Sequence, residues 1–391
     1  MQSFIRQHEF DDVSKLILAR NSVHDIPMAL IAEQIIGRKK AQEKLPTYYH
    51  ASGIVYPRGT NFEQCSSEST GQFKSELTLS SVEQKETCLD LTGGFGVDSF
   101  FFSKVFGQVY YIEPDKNLLE IASHNHKALS ARGISHINTR AEDYLASTDQ
   151  YFDLIYIDPS RRANGNKKVF TFSECEPDVT KLLTTIFSKT NHLLIKASPL
   201  LDIQQGLRSL IFVKRILVVA VDNECKELIF FCEKNFAGEP GIDAINLSRG
   251  KDTEHLSFKA TEESLITSEY SNPLLYLYEP NAAILKAGAF KTIAQRLNVR
   301  KIHPHTHLYT SDTIHSDFPG RIFKVIANVK PTSKSVGNFF PEGKANVTTR
   351  NYPLTVNEIR NRTGLKDGGN DYLIGFSGIE KKYLMVVSKI S

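Results

Sequence analysis

The stretches CLDLTGGFG at residues 88–96 and YYIEPD at residues 110–115 decide the fold of this chain. An apolar strand, a glycine-rich turn, a helix and a second strand that ends in a carboxylate form a nucleotide-binding βαβ unit. Gly94 and Gly96 lack a Cβ atom and therefore let the backbone approach a ligand closely. Glu113 lies at the tip of the second strand. Its carboxylate can accept hydrogen bonds from both hydroxyls of a ribose.

The residues in and before the turn indicate which nucleotide is bound. The turn is not the G-x-G-x-x-G of dinucleotide-binding enzymes, and Asp90 stands before the glycines. A carboxylate at this position suits a ligand that carries a cationic amine or sulfonium and has no pyrophosphate. We therefore predict that the cofactor is S-adenosylmethionine.

Apolar segments after the turn extend this unit to a seven-stranded sheet. The predicted strands are residues 87–91, 109–113, 135–138, 152–158, 192–197, 213–221 and 227–233. The segment between the last two strands is too short for a parallel crossover, which needs about a dozen residues. Five parallel strands closed by an antiparallel hairpin are typical of class I methyltransferases. We therefore expect an α/β, Rossmann-like fold.

The flanking regions differ from this sheet in their patterns. Residues 1–72 are an N-terminal helical region followed by a lead-in segment, and we place the methyltransferase domain at residues 73–268. The stretch from about 235 to 270 is polar, and we expect it to be irregular. Residues from 269 onward alternate strands with helices, which predicts a small α+β tail.

Net charge, cysteine usage and the lengths of apolar runs limit the kinds of partner and location that the sequence supports. Net charge over 391 residues is only +3, so any basic nucleic-acid footprint must be local. Five cysteines without C-x-x-C spacing fit free thiols in a reducing cytoplasm. No apolar run approaches the ~18 residues of a membrane span, so we expect no membrane association. Alternation would place His303, His305 and His307 on one face of a strand, as a metal site requires. Pro304 disrupts regular strand pairing, and no acid or cysteine completes a ligand set, so we expect a structural or solvated strand end and no metal site.

The candidate catalytic residues follow the fourth strand. Methyltransferases that act on an exocyclic amine often carry an Asp/Asn-Pro-Pro-aromatic stretch here, in which the oxygens accept the amine protons. Asp158 and Pro159 fit this pattern, whereas Ser160 and Arg161 depart from it. Arg161 could stack on a base or bind phosphate. The alternative is that it pairs with a local acid, as Arg162 could, and Glu174 and Glu176 are candidates.

Two further segments carry open assignments. Glu142 or Asp143 could accept a hydrogen bond from the adenine amino group, or be an acid in a first helical turn. Lys196 and Ser198 could face the substrate, or the segment could simply end a strand at Pro199. Residues 63–68, EQCSSE, are either helix caps or a lid before the first strand.

The chain resembles a bacterial family of class I S-adenosylmethionine-dependent methyltransferases with C-terminal ferredoxin-like and THUMP-like domains. The stretches that carry the resemblance are Lys44–Thr47, Glu63–Glu68, Asp90–Gly96, Asp158–Arg162, Lys196–Pro199, Tyr276–Pro280 and Lys286–Gly288. The turn is also similar to that of ribosomal RNA guanine-N2 methyltransferases, which share Asp-x-Thr-x-Gly-x-Gly-x-Asp, here from Asp90 through Thr92 to Asp98.

This resemblance implies a ferredoxin-like domain at residues 269–313 and a THUMP-like domain at residues 314–391. It implies that Asp90, Thr92 and the two glycines bind the cofactor with Glu113. THUMP domains elsewhere present RNA to modifying enzymes, so the implied partner is a structured RNA such as rRNA or tRNA. Two other hypotheses stay open: a non-catalytic RNA-binding module with a relict fold, and a methyltransferase acting on a protein or small molecule.

Overall fold

The computed structural model describes residues 1–19, 21–161, 171–250 and 252–390, with Arg161 described by its backbone alone. The chain forms two compact units. The first contains Met1–Ile216 and Glu227–Gly238, and the second contains Leu217–Lys226 and Glu239–Ser391. Within the described residues, no helix is both long enough and apolar enough to cross a membrane.

The first unit begins with helices, as the apolar spacing predicts. Its N-terminal elements are α1 (Gln2–Gln7), α2 (Val13–Ala19), β1 (Ser22–Val23), β2 (Ile26–Pro27), α3 (Met28–Lys44), α4 (Pro46–His50), α5 (Thr60–Gln64) and α6 (Glu68–Ser81). Helix α6 starts where the Ser67 hydroxyl accepts a hydrogen bond from the Thr70 amide, which satisfies a backbone donor at the helix end. This helix leads directly into the first strand of the large sheet.

The elements of the sheet region alternate strand and helix. They are β3 (Thr87–Asp90), α7 (Val97–Phe102), β4 (Gln108–Ile112), α8 (Lys116–Ala128), β5 (Ile134–Ile137), α9 (Ala141–Ser147), β6 (Leu154–Ile157), β7 (Ser160–Arg161), a 3-10 helix (Phe172–Glu174), β8 (Cys175–Glu176), α10 (Val179–Lys189), β9 (His192–Ala197), α11 (Ile203–Ser209), β10 (Val213–Val221) and β11 (Glu224–Glu233).

Seven of these strands lie in the order β10-β11-β9-β6-β3-β4-β5. Strands β3, β4, β5, β6 and β9 pair in parallel, and β11 pairs antiparallel with β9. Strand β6 is buried along its whole length, and β3 and β9 are mostly buried, because helices cover both faces of a parallel sheet. The predicted class I methyltransferase sheet is confirmed. The carboxyl ends of β3, β4, β6 and β9 therefore share one edge, where α/β sheets bind ligands.

The glycines after β3 shape this edge. A Cβ atom on Gly93 would lie 2.2 Å from the Tyr111 ring, so the turn packs directly against β4. Gly96 has a φ of +83°, a left-handed conformation that favours glycine. Gly94 also has a positive φ, and its Cβ direction is almost open, which leaves space beside the turn.

The second unit contains a seven-stranded sheet. Its elements are β12 (Gly241–Leu247), β13 (Glu254–Lys259), α12 (Ala260–Leu265), β14 (Tyr276–Pro280), α13 (Ala282–Ala287), α14 (Thr292–Arg296), β15 (Arg300–His303), β16 (Thr306–Ser311), β17 (Gly320–Asn328), α15 (Ser333–Val336), β18 (Asn346–Arg350), α16 (Val356–Thr363), β19 (Asp371–Ser377) and β20 (Lys382–Lys389). The seven strands of the sheet follow the order β15-β16-β14-β17-β20-β19-β18, and the β12–β13 hairpin is not part of that sheet. Only β18 and β19, among the pairs described, are parallel within this sheet.

The expectation of an irregular segment at 235–270 is wrong. Strands β12 and β13 form an antiparallel hairpin there, and α12 follows it. Asp243 of β12 accepts hydrogen bonds from His255 and Ser257 of β13. These polar side chains give the segment the composition of a loop. Its backbone nevertheless forms two paired strands.

The three alternating histidines lie at the end of one strand, in the turn that follows it and in the next strand. His303 ends β15, and His307 lies in β16 after a tight turn. The His307 ring stacks on Phe290, with centroids 3.7 Å apart. Burial lowers the pKa of His307 to about 4. No group of three or more potential metal-binding side chains occurs among the residues that the structure describes.

Candidate functional site

The glycine turn and Glu113 contact each other at the carboxyl edge of the sheet. The Gly94 amide donates a 2.9 Å hydrogen bond to Glu113 Oε2, and the Asp115 amide donates a 2.8 Å bond to Oε1. Burial raises the pKa of Glu113, although these two amides oppose the rise. The carboxylate is thus fixed by backbone donors, and each oxygen keeps a lone pair for a ligand.

Asp90 lies below the turn and is 1% exposed. One carboxyl oxygen accepts the Thr92 amide at 3.0 Å and the other accepts the Ser99 hydroxyl at 2.6 Å. Burial raises the pKa of Asp90 to about 7, despite both hydrogen bonds. The carboxyl group therefore titrates near neutral pH, and its charge will depend on a cation bound nearby.

Thr92 connects the ends of two neighbouring strands. Its hydroxyl oxygen accepts a 2.7 Å hydrogen bond from the Asp158 amide. A glycine at position 92 would offer no such acceptor. The Thr92 hydroxyl therefore fixes the backbone of the catalytic candidate Asp158.

The Asp158 carboxylate is paired with a lysine. Lys196 Nζ on β9 lies 2.6 Å from Asp158 Oδ2 and 3.3 Å from Ser66 Oγ. The Lys196 side chain is 11% exposed and that of Asp158 is 31% exposed. Burial alone would lower the pKa of Lys196, but the carboxylates of Asp158, Asp98 and Glu227 raise it above its ordinary value. Lys196 is therefore an ammonium group at neutral pH.

A second lysine lies behind this pair, fully buried. Lys74 Nζ lies 2.8 Å from Glu227 Oε1, 3.2 Å from Asp98 Oδ1 and 3.2 Å from Ser66 Oγ. The Ser66 hydroxyl donates to Asp98 Oδ2 at 2.7 Å, as does the Tyr156 hydroxyl at 2.8 Å. Burial would raise the pKa of Asp98, but Lys74 and Lys196 hold it below its usual range.

We call Lys74, Lys196, Asp98, Asp158 and Glu227 the charge cluster. It contains two ammonium groups and three carboxylates, so its formal charge is −1. A net negative site of low exposure attracts a cationic ligand.

Sequence reasoning did not predict Lys74, Asp98 or Glu227 as members of the site. The available signal was a charged residue inside an otherwise buried segment. Glu227 precedes the apolar stretch LIFFC of β11, and Lys74 lies on the side of α6 that also buries Leu77 and Thr78. Charged residues are almost never fully buried unless they are paired.

The lead-in segment 63–68 makes capping contacts and also reaches the charge cluster. Ser67 caps α6, and Glu68 accepts hydrogen bonds from the Thr47 amide and hydroxyl at 2.7 Å each. These are the structural contacts that the capping interpretation predicts. Ser66, however, points into the charge cluster. The segment therefore also contributes a side chain to the charge cluster.

The adenine candidates lie in the first turn of α9, after the edge strand β5. Glu142 is partly exposed and lies 3.7 Å from Arg140, while Asp143 is exposed. Their contacts leave the choice between the two open.

The substrate candidates after β6 are described in part. The short strand β7 pairs with β8, which places the Arg161 backbone opposite Cys175. The Arg161 side chain and all of Arg162 lie outside the described residues. Pro159 is buried at the end of β6.

The chain is similar throughout its length to a solved structure. A "putative methyltransferase" from Porphyromonas gingivalis W83 is 32% identical, with a TM-score of 0.87; the match covers 100% of this chain and 97% of that one. The chain therefore belongs to the family of that protein. The family model for a ferredoxin-like domain matches residues 276–319, and that for a THUMP-like domain matches residues 320–389. The resemblance stated from the sequence is confirmed.

A curated relative gives a shorter match. An "Uncharacterized RNA methyltransferase" from Mycoplasma mobile is 28% identical over 130 residues, which are 33% of this chain. The match spans 35% of that relative's length.

Proposed function

We propose that the chain transfers a methyl group from S-adenosylmethionine to a nucleotide of a structured RNA such as rRNA or tRNA. The observation that carries this proposal is the hydrogen bond from the Gly94 amide to Glu113. It joins the glycine turn to the carboxylate that would accept the ribose hydroxyls. Asp158 follows β6 and Lys196 lies on β9, so this ion pair is at the same edge of the sheet.

The cofactor would be held by the turn and its two acids. Glu113 would bind the ribose, Gly94 and Gly96 would allow close approach of the backbone, and Glu142 or Asp143 would bind the adenine. Asp90 and Thr92 would support the turn from below, through the bonds that they make to it and to the Asp158 amide. The −1 charge of the charge cluster would favour the sulfonium cation.

The cofactor supplies an activated methyl group. The remaining task of the protein is to place the acceptor atom in line with the sulfur–methyl bond, and positioning can supply most of the rate. Asp158, Pro159 and Arg161 are the residues that we propose on the substrate side. An exocyclic amine of a base is the acceptor that the Asp-Pro pattern of the sequence favours.

RNA would be bound with help from the second unit. The THUMP-like match at residues 320–389 and the name of the Mycoplasma relative support an RNA substrate. Two of the basic residues in this region are already engaged in ion pairs, Arg350 with Glu279 and Arg360 with Asp367. Exposed cations that could contact phosphate are Arg362, Lys366, Lys381 and Lys382. We propose the cytoplasm as the location.

The proposal is tested in two steps with the full-length protein. Titration calorimetry with S-adenosylhomocysteine should detect binding at concentrations near ~100 μM, within the range usual for enzyme ligands. Labelled S-adenosylmethionine is then incubated with total RNA from cells that lack the protein, and label should enter the RNA. RNA binding without label would favour the relict-fold hypothesis. Label in RNase-treated lysate but not in RNA would favour a protein or small-molecule substrate.

A further inference from the structure

The Asp158–Lys196 pair presents a hydrogen-bond acceptor beside a hydrogen-bond donor. Lys196 Nζ lies 2.6 Å from Asp158 Oδ2, and Asp158 is the more exposed partner, at 31%. Among the contacts that the structure describes, Lys196 binds the Oδ2 atom of Asp158 and not its second carboxyl oxygen. An acceptor group that arrives here meets a carboxylate and an ammonium ion together.

This combination complements a hydroxyl group. A hydroxyl has one O–H to donate and two lone pairs. It can donate to Asp158, accept from Lys196 and still direct one lone pair at the methyl group. An exocyclic amine has two N–H groups to donate, and its single lone pair is needed for the attack. It offers nothing that a lysine ammonium can bind.

Charge favours the same acceptor. A hydroxyl becomes a better nucleophile as negative charge develops on its oxygen, and a neighbouring ammonium stabilises that charge. A neutral amine gains positive charge as it is methylated, which a neighbouring ammonium opposes. A lysine at this position is therefore helpful for oxygen and unhelpful for nitrogen.

We propose that the methyl acceptor is a ribose 2′-hydroxyl of the RNA, with Asp158 and Lys196 as the groups that contact it. The inference rests on the proposed function of RNA methylation and replaces the base amine as the acceptor. The 2′-hydroxyl is both donor and acceptor, and it is the group that distinguishes RNA from DNA.

The reaction balances with these two side chains. The 2′-oxygen forms a bond to the methyl carbon while the sulfur–carbon bond breaks, and the electron pair of that bond stays on sulfur. The hydroxyl proton passes to the Asp158 carboxylate, which releases it to solvent. Lys196 keeps its proton and holds the oxygen through an N–H donor. The products are S-adenosylhomocysteine, the 2′-O-methyl nucleotide and one proton.

Ser66 acts as a positioning residue for Lys196. Its hydroxyl oxygen lies 3.3 Å from Lys196 Nζ and 3.2 Å from Lys74 Nζ, so it separates two ammonium groups that would otherwise repel each other directly. Asp98 holds this hydroxyl at 2.7 Å, and Glu227 holds Lys74. The buried half of the charge cluster thus fixes the half that faces the substrate.

The first experiment locates the methyl group. RNA labelled by the full-length protein is hydrolysed in alkali, which needs a free 2′-hydroxyl to cleave each linkage. A 2′-O-methyl nucleotide therefore leaves its label in a dinucleotide, whereas a methylated base leaves it in a mononucleotide. We expect the label in dinucleotides. Label in mononucleotides would overturn this inference while the proposed function stands, and absence of label from every RNA would overturn both.

The second experiment tests Lys196. Lys196→Met should lower kcat by about 10²-fold or more, the range of proton-transfer and charge-stabilising groups. Calorimetry with S-adenosylhomocysteine shows whether the variant keeps its folded cofactor site. Lys214→Met is the matched control, because it removes a lysine that lies 2.7 Å from Glu233 on the same sheet but is 40% exposed. A Lys196→Met enzyme with kcat within a few fold of the wild type would refute the assignment.

The third experiment tests Ser66. Ser66→Ala should lower kcat by about tenfold without a matching loss of S-adenosylhomocysteine affinity, since one hydrogen bond to an ionic group is removed. Ser66→Thr keeps the hydroxyl and should restore most of the rate. Equal losses of kcat and cofactor affinity in Ser66→Ala, with no recovery in Ser66→Thr, would assign Ser66 to the fold alone and overturn its positioning role.

Discussion

Replacement of Lys74 by methionine should strongly destabilise the first unit. Lys74 is fully buried and its partner Glu227 has a side chain that is 3% exposed. Methionine fills a similar volume but leaves the Glu227 carboxylate buried without its cation. Breaking a buried pair by removing one partner costs about 3–5 kcal/mol. Asp98 loses one contact as well but keeps Ser66 and Tyr156.

The assay compares the denaturant unfolding of the wild type and three variants. Unfolding is monitored with a probe that reports on the first unit. Lys74→Met should lower the free energy of unfolding by about 3–5 kcal/mol. Lys74→Met combined with Glu227→Gln should recover much of that loss, because the unpaired charge is gone. Lys214→Met, which breaks the exposed pair with Glu233, should cost about 0–1 kcal/mol.

Two results would contradict this reasoning. A Lys74→Met protein within about 1 kcal/mol of the wild type would mean that Glu227 is not left as an unpaired buried charge. A double variant no more stable than Lys74→Met would mean that lost packing, and not the carboxylate, causes the effect.

Three further predictions concern cofactor binding, the pH dependence of stability and RNA binding. Glu113→Ala should abolish most binding of S-adenosylhomocysteine in calorimetry, whereas Glu120→Ala, an exposed change on α8, should leave the affinity unchanged; equal affinities would exclude Glu113 as a ligand. Asp90 has a folded-state pKa of about 7, above its unfolded value, so the folded state binds its proton more tightly and stability should fall as pH rises toward 7. Asp90→Asn should flatten that slope in denaturant midpoints measured from pH 5 to 8, and an unchanged slope would count against the buried acid. Lys366→Glu with Lys381→Glu should weaken RNA binding and reduce its salt dependence in filter binding, while cofactor affinity stays constant; an unaltered salt slope would exclude these lysines from phosphate contact.

The sequence determined the features that are encoded by near neighbours in the chain. The strand–turn–helix–strand pattern around Gly94, with Glu113 at its end, predicted the βαβ unit, and the apolar segments after it predicted five parallel strands. The short link before β11 predicted an antiparallel final pair. These predictions succeeded because alternation, turn residues and link lengths act over a few residues. The hairpin β12–β13 was missed because its polar side chains make hydrogen bonds between the two strands, and such contacts leave no pattern among near neighbours in the sequence.

Only the tertiary structure decided which side chains form the site. Lys74 and Glu227 are 153 positions apart, and Asp158 and Lys196 are 38 apart. Their contacts depend on the order of strands β3, β6, β9 and β11 and on the packing of the segment that carries Ser66. No periodicity within the chain encodes such a meeting. A charged residue in an apolar segment indicates that a partner is needed, because an unpaired charge in a dry interior is costly. Only the fold determines which group the packing brings within hydrogen-bond distance of that charge.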